Sequence, residues 1–301
     1  LEEVVWDYEI LEAEGEKEVV IVAMKGDALE EINEGVNATG LGTAEVDVAP
    51  MALYNAFRAA YPDLDEPALV IDVGAKTSDL LYVEGDRFFT RSAAVGGAAV
   101  TTAIRKEFEV SFSDAEAHKT QGGLVALGGG HTEQLDEATA ALAMCIRNAM
   151  TRLATEIPRT TNYYRSQHGG SAPKRVYLAG GGANLPYAKE FFEEKLRLPV
   201  EYFNPLPAIQ IASSVDTDVL SREAHTMGEL IGLGLRSAGK SKLNIDLIPA
   251  KVGEARAADK RKPFLIAAAA ILIAGAAISG VFKMQAAGKA AAAAQDVEDQ
   301  L

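Results

Sequence analysis

Nine consecutive residues, Ile71-Asp72-Val73-Gly74-Ala75-Lys76-Thr77-Ser78-Asp79, hold the densest chemistry in the chain. Small residues let backbone N–H groups approach phosphate oxygens, and Thr77 and Ser78 add hydroxyl donors. Asp72 can hold Mg²⁺ directly or through water. A tight turn of this composition, with a carboxylate at each end, suits nucleotide phosphates and their metal. An ordinary hairpin with a polar turn accounts for the same nine residues equally well. A second stretch, Gly180-Gly181-Gly182-Ala183-Asn184, permits close backbone approach to a flat ligand such as a nucleoside. A third, residues 234–241, satisfies the P-loop spacing letter for letter. That chemistry needs a strand before it and a helix after, whereas here a helix precedes and an extended segment with Pro249 follows, so the match is rejected.

The elements around these stretches are legible from pattern. Apolar runs at 68–71 and 80–83 predict strands flanking the first turn, with a further turn at Glu84-Gly85-Asp86 leading to a strand over 87–90. Upstream, strands at 4–11 and 18–24, a helix over 27–36 and a strand at 44–48 read as the later half of a small α/β subdomain. Pro50 opens a helix over 51–60. Paired glycines precede a helix over 98–108, and Ser113 is expected to cap the next, which carries Glu116, His118 and Lys119. Leu135, Ala138, Leu142, Ile146, Met150, Leu153 and Ile157 form the core stripe of a long helix over 135–164, with a kink expected at Pro158. A strand over 176–179, the glycine turn, a helix over 187–196 and a strand over 200–203 make one α/β crossover. Its glycines sit at the strand's carboxyl end, where such folds bind ligands. The last body helix spans 225–236.

A net charge of −14 argues against nucleic acid as a partner. Cys145 is the single cysteine, which rules out an internal disulfide framework, and the four histidines have no metal-ligand spacing. Lys251, Arg256, Lys260, Arg261 and Lys262 crowd one segment, and an uncharged apolar run over 263–282 follows with Lys283 beyond. Its length matches a bilayer-spanning helix, and the heavier basic flank places the body in the cytoplasm and the alanine-rich tail outside. The chain opens on Leu1 and closes within a helix-favouring run, so further sequence is expected at both ends.

Taken as an ordered set, residues 72–79, Ala115-Glu116-Ala117-His118-Lys119 and Leu178-Ala179-Gly180-Gly181-Gly182-Ala183 resemble three elements of the actin-like ATPase superfamily. These are the second phosphate motif, the A-E-x-x-K ribose and adenine element, and the adenosine motif. Within it the chain is similar to the PilM family of type IV pilus assembly proteins, itself similar to FtsA. Thr90-Arg91 with Val95-Gly96-Gly97, the run from Gly180 to Pro186 with Asn204-Pro205, and residues 229–236 carry that likeness. The resemblance implies an α/β, actin-like (ribonuclease H-like) two-lobed ATPase fold, N-terminally truncated because the first phosphate motif is absent. It also implies ATP with Mg²⁺ as cofactors: Asp72 at the metal, Gly74, Thr77 and Ser78 at the phosphates, Glu116 and Lys119 at ribose or adenine, and Gly180, Gly181, Gly182 and Ala183 beneath the adenosine. Ala49 stands where relatives usually carry an acidic residue, so the water-positioning group is missing and Asp47 is the nearby substitute. Asn244-Ile245-Asp246-Leu247-Ile248-Pro249, the basic stretch and the apolar run resemble the start of PilN, the inner-membrane partner whose N-terminal segment docks in a groove on PilM.

These expectations divide the chain into a subdomain remnant (1–46), an actin-like body (47–238), a linker (239–262) with the PilN-like segment 243–249, a transmembrane helix (263–282) and the start of an extracytoplasmic helix (283–301). Within the body, the nucleotide-binding lobe is mainly 68–225, with helices 50–60 and 225–236 from the other lobe. The expected function is a nucleotide-binding scaffold tied to the bacterial inner membrane, its tail periplasmic, with PilN- and PilO-like membrane proteins as partners. Docking of 243–249 is expected within or between molecules. The alternatives are an active actin-like ATPase or kinase, and an FtsA-like division anchor.

Overall fold

Every residue of the strand Ala68–Val73 is buried, the pattern of a strand covered on both faces. It lies at the centre of a five-stranded mixed sheet. The structure, a computed structural model, describes residues 4–13, 16–248 and 250–298. In chain order, β1 (Val4–Ala13) and β2 (Glu16–Lys25) form a two-stranded sheet, followed by the helices α1 (Gly26–Ala38) and α2 (Ala49–Ala60). Next come β3 (Ala68–Val73), β4 (Ser78–Glu84), β5 (Arg87–Ala93), α3 (Gly97–Glu107), α4 (Phe112–Gly122) and α5 (Glu137–Gln167). The rest comprises β6 (Arg175–Ala179), α6 (Ala188–Leu196), β7 (Val200–Tyr202), α7 (Thr217–Glu223), α8 (Gly228–Ser237) and α9 (Ala250–Glu298).

The described residues divide into two units. One holds residues 6–23 and 45–247, and with them the five-stranded sheet. Its strand order is β5-β4-β3-β6-β7, with β3 antiparallel to β4 and parallel to β6. Val73 pairs with Ser78, so Gly74 to Thr77 form the turn, and Asp72 stands between Asp79 on one neighbour and Ala179 on the other. Two carboxylates, Asp72 and Asp79, thus meet the residue before Gly180 at the carboxyl end of β3, fixed by ladder register. Ile146, Met150, Leu153 and Ile157 of the α5 stripe are fully buried in the core beneath the sheet. Pro158 sits on the exposed side and α5 runs on through it.

Helices α2 and α8 pack so closely that a methyl group on Gly232 would fall 1.8 Å from the carbonyl oxygen of Ala52. Gly232→Ala is therefore expected to destabilise the fold by roughly 3 kcal/mol, the upper range for overpacking, measured by urea unfolding. Gly35→Ala, where a methyl group meets nothing, supplies the comparison.

The other unit contains α1, in which Leu29 and Asn33 are buried, and α9. Within α9 the stretch Arg261–Ala290, with a mean hydropathy of 2.4 over its most apolar window, is long and apolar enough to cross a membrane.

Several sequence expectations are corrected. Residues 44–48 form no strand. The N–H of Val46 is taken by the Asp246 carboxylate and its carbonyl by the N–H of Leu247, so Val46 has an irregular partner instead of a ladder. The cap of α4 is Ser111, whose hydroxyl accepts from the N–H of Asp114, and Ser113 lies inside the helix. The final body helix starts at Gly228, with His225 in a short 3-10 turn before it.

Candidate functional site: an acidic cavity, an apolar slot and a peptide groove

Two adjoining cavities open at the carboxyl end of β3 and share Gly74 and Gly181. The smaller, of about 280 Å³, is lined by Asp72, Thr77, Asp79 and Gly180, with Ala49 from α2 and Glu229 from α8. The larger, of about 560 Å³, runs between Val100, Met150 and Leu153 on one side and Gly181, Gly182 and Leu185 on the other, with Glu116 and Lys119 at its edge. Both sizes suit a small-molecule ligand shared between them.

The smaller cavity is acidic. Burial pushes the Asp72 carboxyl up to about 7, and the charge of Glu229, a hydrogen bond shared with it and the charge of Asp79 push the same way. Among the described residues no Lys or Arg lines this cavity, and no group of three or more His, Cys, Asp or Glu side chains is arranged to hold a metal unaided. Two or three carboxylates with no lysine or arginine beside them form a donor set that a divalent cation would stabilise, provided that other oxygens complete its shell. The residues present therefore fit Mg²⁺ carried with a phosphate ligand.

The glycine turn that floors both cavities is pinned at its two ends by one residue. The N–H of Gly180 donates to the carbonyl of His225, and Nε2 of the same histidine lies 2.5 Å from Oδ1 of Asn184. Gly180 has φ +80, and a side chain there would strike the Asp72 carboxylate, so both the backbone conformation and the close approach require glycine. Burial holds the His225 imidazole below its usual range, as suits a neutral ring in this position.

In the larger cavity, Lys119 Nζ donates to Glu116 Oε2 at 2.8 Å and to Thr101 Oγ1 at 2.9 Å. Burial raises the Glu116 carboxyl, but the hydrogen bonds from Lys119 and Thr101 prevail and hold it below its ordinary value. An apolar slot with a fixed charged pair at its rim can take the flat face of a base and the hydroxyls of a sugar.

Not every residue singled out by sequence lies there. Ser78 is wholly buried and donates its hydroxyl to the carbonyl of Val95, so it is a strand residue and no phosphate donor. Ala183 is likewise fully buried and lines neither cavity. Asp47 does not face the cavities. Its carboxylate is 3.1 Å from Arg236 Nη1, with its side chain 1% exposed, which withdraws the substitute for the missing acid at Ala49. The rejected P-loop octet behaves as its sequence context requires: α8 precedes, Lys240 N–H closes onto the carbonyl of Leu235, and neither cavity includes it.

A groove on the same unit holds residues 243–247. Leu243, Ile245 and Leu247 are buried to 1%, 0% and 1% exposure, the alternation of an extended strand. The Asn55 side chain clasps Leu243 from both directions: Nδ2 donates to its carbonyl at 3.0 Å and Oδ1 accepts its N–H at 2.9 Å. The N–H of Asn244 donates to Glu9, that of Asp246 to Asp7, and the carbonyl of Ile245 accepts from Arg236. Of the expected anchors, Ile245 and Leu247 are seated, Leu243 joins them unpredicted, Ile248 is half-buried and Pro249 lies outside the described residues. Asn244 is exposed and its side chain accepts from Ser241, so the grip comes from Asn55. Asn55, Asp7, Glu9, Arg236, Glu229 and His225 were not foreseen as site residues. The usable signals were the two-residue spacing of Asp7 and Glu9, which puts both on one face of β1, and the position of Glu229 and Arg236 at opposite ends of one short helix.

Residues 1–238 match the family described as type IV pilus assembly protein PilM. A solved PilM–PilN type IV pilus biogenesis complex is 25% identical, with a TM-score of 0.64, covering 77% of this chain and 66% of that one, just under two thirds of its length. MreB5 of Spiroplasma citri bound to AMPPNP is also similar, at 16% identity and a TM-score of 0.46, covering 72% of this chain and 65% of that one. So is the ethanolamine utilization protein EutJ of Carboxydothermus hydrogenoformans, at 20% identity and a TM-score of 0.43, covering 60% and 57%.

Proposed function

We propose a function from one premise: this chain belongs to the PilM family of type IV pilus assembly proteins, with an actin-like ATPase fold. It acts as a membrane-tethered scaffold for assembly of a type IV pilus or a related secretion machine, with Mg²⁺–ATP as a bound ligand and not a fuel. The observation that carries this reading is the seating of 243–247 in a groove on the body, within the chain that continues into an apolar helix. A linker between body and membrane is ordinarily polar. Three buried aliphatic anchors on alternate residues read as a docked peptide of the PilN kind, carried in cis. Tethering raises the local concentration of the segment, which favours docking within one molecule over capture from another. PilN- and PilO-like membrane proteins are the partners of the assembled machine. The basic residues preceding the apolar run put the body in the cytoplasm, α9 across the inner membrane and its end in the periplasm.

The cavity supports a reading of binding without turnover. Asp72, with Glu229 and Asp79 near, would hold Mg²⁺ directly or through water; Gly74 and Thr77 would meet the phosphates; Glu116 and Lys119 would meet the sugar or base. The magnesium ion supplies charge neutralisation at the phosphates. Hydrolysis also requires a group to orient an in-line water, and the wall that would carry it presents Ala49, while Asp47 is engaged by Arg236. The test uses the full-length chain in detergent, with ATP binding measured by equilibrium dialysis and phosphate release followed in parallel. Magnesium-dependent binding with negligible turnover is the expected result; brisk hydrolysis that disappears in Asp72→Ala overturns it. For the seat, Leu247→Asp is expected to expose the linker to limited proteolysis, and an unchanged cleavage rate sinks the docking.

A further inference from the structure

We infer that the side chain of His225 is the positioning residue of the glycine turn: through Asn184 it holds residues 180–184 in the shape that receives a nucleoside, before any ligand arrives. This deepens the nucleotide reading above and rests on it for the identity of the ligand.

Three successive glycines make a poor platform unaided. Glycine gives up more conformational freedom on ordering than any other residue, and a ligand that has to order three of them binds more weakly than one that finds them in place. One bond within the turn runs from the N–H of Ala183 to the carbonyl of Gly180. Others come from behind. The carbonyl of His225 takes the N–H of Gly180, and its ring nitrogen meets Asn184. The Tyr202 hydroxyl lies 3.5 Å from the carbonyl of Ala183, and the Tyr202 ring packs on the imidazole with centroids 5.0 Å apart. His225 therefore touches the first and the last residue of the turn, once through its backbone and once through its ring. Only the second contact depends on its being histidine.

One carboxylate fixes the roles in that contact. Nδ2 of Asn184 lies 3.5 Å from Oε2 of Glu223. A carboxylate can only accept, so the amide nitrogen faces Glu223 and the amide oxygen faces His225. That oxygen also only accepts, so Nε2 of His225 carries the proton and donates it. A neutral ring suffices for this bond, and burial keeps the ring neutral against the charge of Glu223. Glu223 and His225 flank Ala224, so one short segment grips both ends of the Asn184 amide. Asn184 lines the larger cavity and His225 the smaller, so the bond between them joins the two.

The experiment uses the full-length chain in detergent with two readouts. Hydrogen–deuterium exchange by mass spectrometry follows residues 180–185 in the ligand-free protein, and equilibrium dialysis gives the Kd for Mg²⁺–ATP. His225→Leu keeps apolar bulk against Tyr202 and cannot donate; His225→Gln gives up the ring and keeps a donor nitrogen. In His225→Leu, exchange at the turn is expected to quicken and the Kd to rise, each by about tenfold, the worth of one hydrogen bond. His225→Gln is expected to stay within about threefold of the wild type on both. Asn184→Ala, which removes the acceptor, is expected to match His225→Leu, and the double variant to lose no more than either alone. A side chain that only fills space gives the reverse order, with leucine tolerated and glutamine not, and that result overturns the inference. So do losses that add in the double variant, because His225 then acts other than through Asn184. Should His225→Leu not fold, Asn184→Ala decides, and unchanged exchange at its turn overturns the inference. A wild type that binds no Mg²⁺–ATP defeats the nucleotide reading, and the exchange rates then decide the role of His225 by themselves.

Discussion

Asp72→Asn is expected to weaken Mg²⁺–ATP binding by roughly 100-fold, about 2.8 kcal/mol, while leaving the fold in place. The substitution keeps the size of the side chain and removes the charge. Asp72 sits at the carboxyl end of β3, opposite Asp79 and against Glu229, in a cavity without a lysine or arginine among its described lining residues. Neutralising it removes the group best placed to attract a cation and also relieves the cost of burying a charge, with the added repulsion from Glu229 and Asp79, that lifts its own carboxyl to about 7. Nucleotide affinity and ligand-free stability should therefore respond in opposite directions. A folded-state value raised above the ordinary 3.8 of an aspartate means that the native state holds the proton more tightly than the unfolded chain. The stability contributed is complete below about 3.8 and lost as pH rises through about 7. The cation competes with that proton, so Mg²⁺–ATP affinity rises over the same window, by about tenfold between pH 6 and pH 8. In Asp72→Asn both trends flatten. Isothermal titration at the two pH values and urea unfolding of the ligand-free protein measure them; a wild-type affinity independent of pH contradicts the role given to Asp72.

Around this site the sequence resolves the local elements and misses what distant neighbours decide. The strand–turn–strand around Gly74 is legible because unbroken apolar runs flank a short polar turn. Ser78 looked like a donor for the same reason that Thr77 did, a hydroxyl in a polar stretch. Ladder pairing with Val73 instead makes it the first strand residue and turns its side chain inward to Val95. The strand expected over 44–48 had the right residue types, but strand propensity cannot reveal whether a neighbouring strand exists. Here Val46 meets an aspartate side chain and one backbone amide. Ser113 was expected to cap α4, and the structure sets the cap two residues earlier, at Ser111, three before Asp114. Asp47 was assigned by proximity to Ala49 along the chain, whereas its side chain is claimed by Arg236 from a distant helix.

The peptide groove shows the same division. Its occupant was legible as three aliphatic residues with a proline after them, yet the period-two burial that includes Leu243 required the structure. Its walls were not legible at all. Asn55 reads as an ordinary polar position in an amphipathic helix, and only the pairing of α2 with the returning linker gives its amide two backbone partners. A side-chain amide in that position does what a neighbouring strand would do, donating and accepting along an extended peptide.

Arg236→Met is expected to cost about 3–5 kcal/mol, more than loss of any single aliphatic anchor from the linker, because it strands a buried carboxylate. Arg236 is 8% exposed and its guanidinium meets Asp47, Glu45, Asp246 and the carbonyl of Ile245. Burial raises the Asp47 carboxyl, against the pull of the Val48 N–H and of Arg236 itself; with the guanidinium gone only the backbone donor remains to oppose burial. Methionine fills much of the same volume, so the loss is one of charge and not of packing. Asp47→Asn in the Arg236→Met background is then expected to recover a large part of the stability, since the second change removes the stranded charge. The double variant lies well short of the sum of the single effects. Recovery of stability does not restore the seat, because Ile245 still lacks its donor and the linker stays open to protease. Urea unfolding separates the first effect and limited proteolysis the second. A double variant whose losses simply add would show that Arg236 and Asp47 do not act as a pair. A linker fully protected in Arg236→Met would show that the aliphatic anchors and Asn55 hold the segment without the arginine.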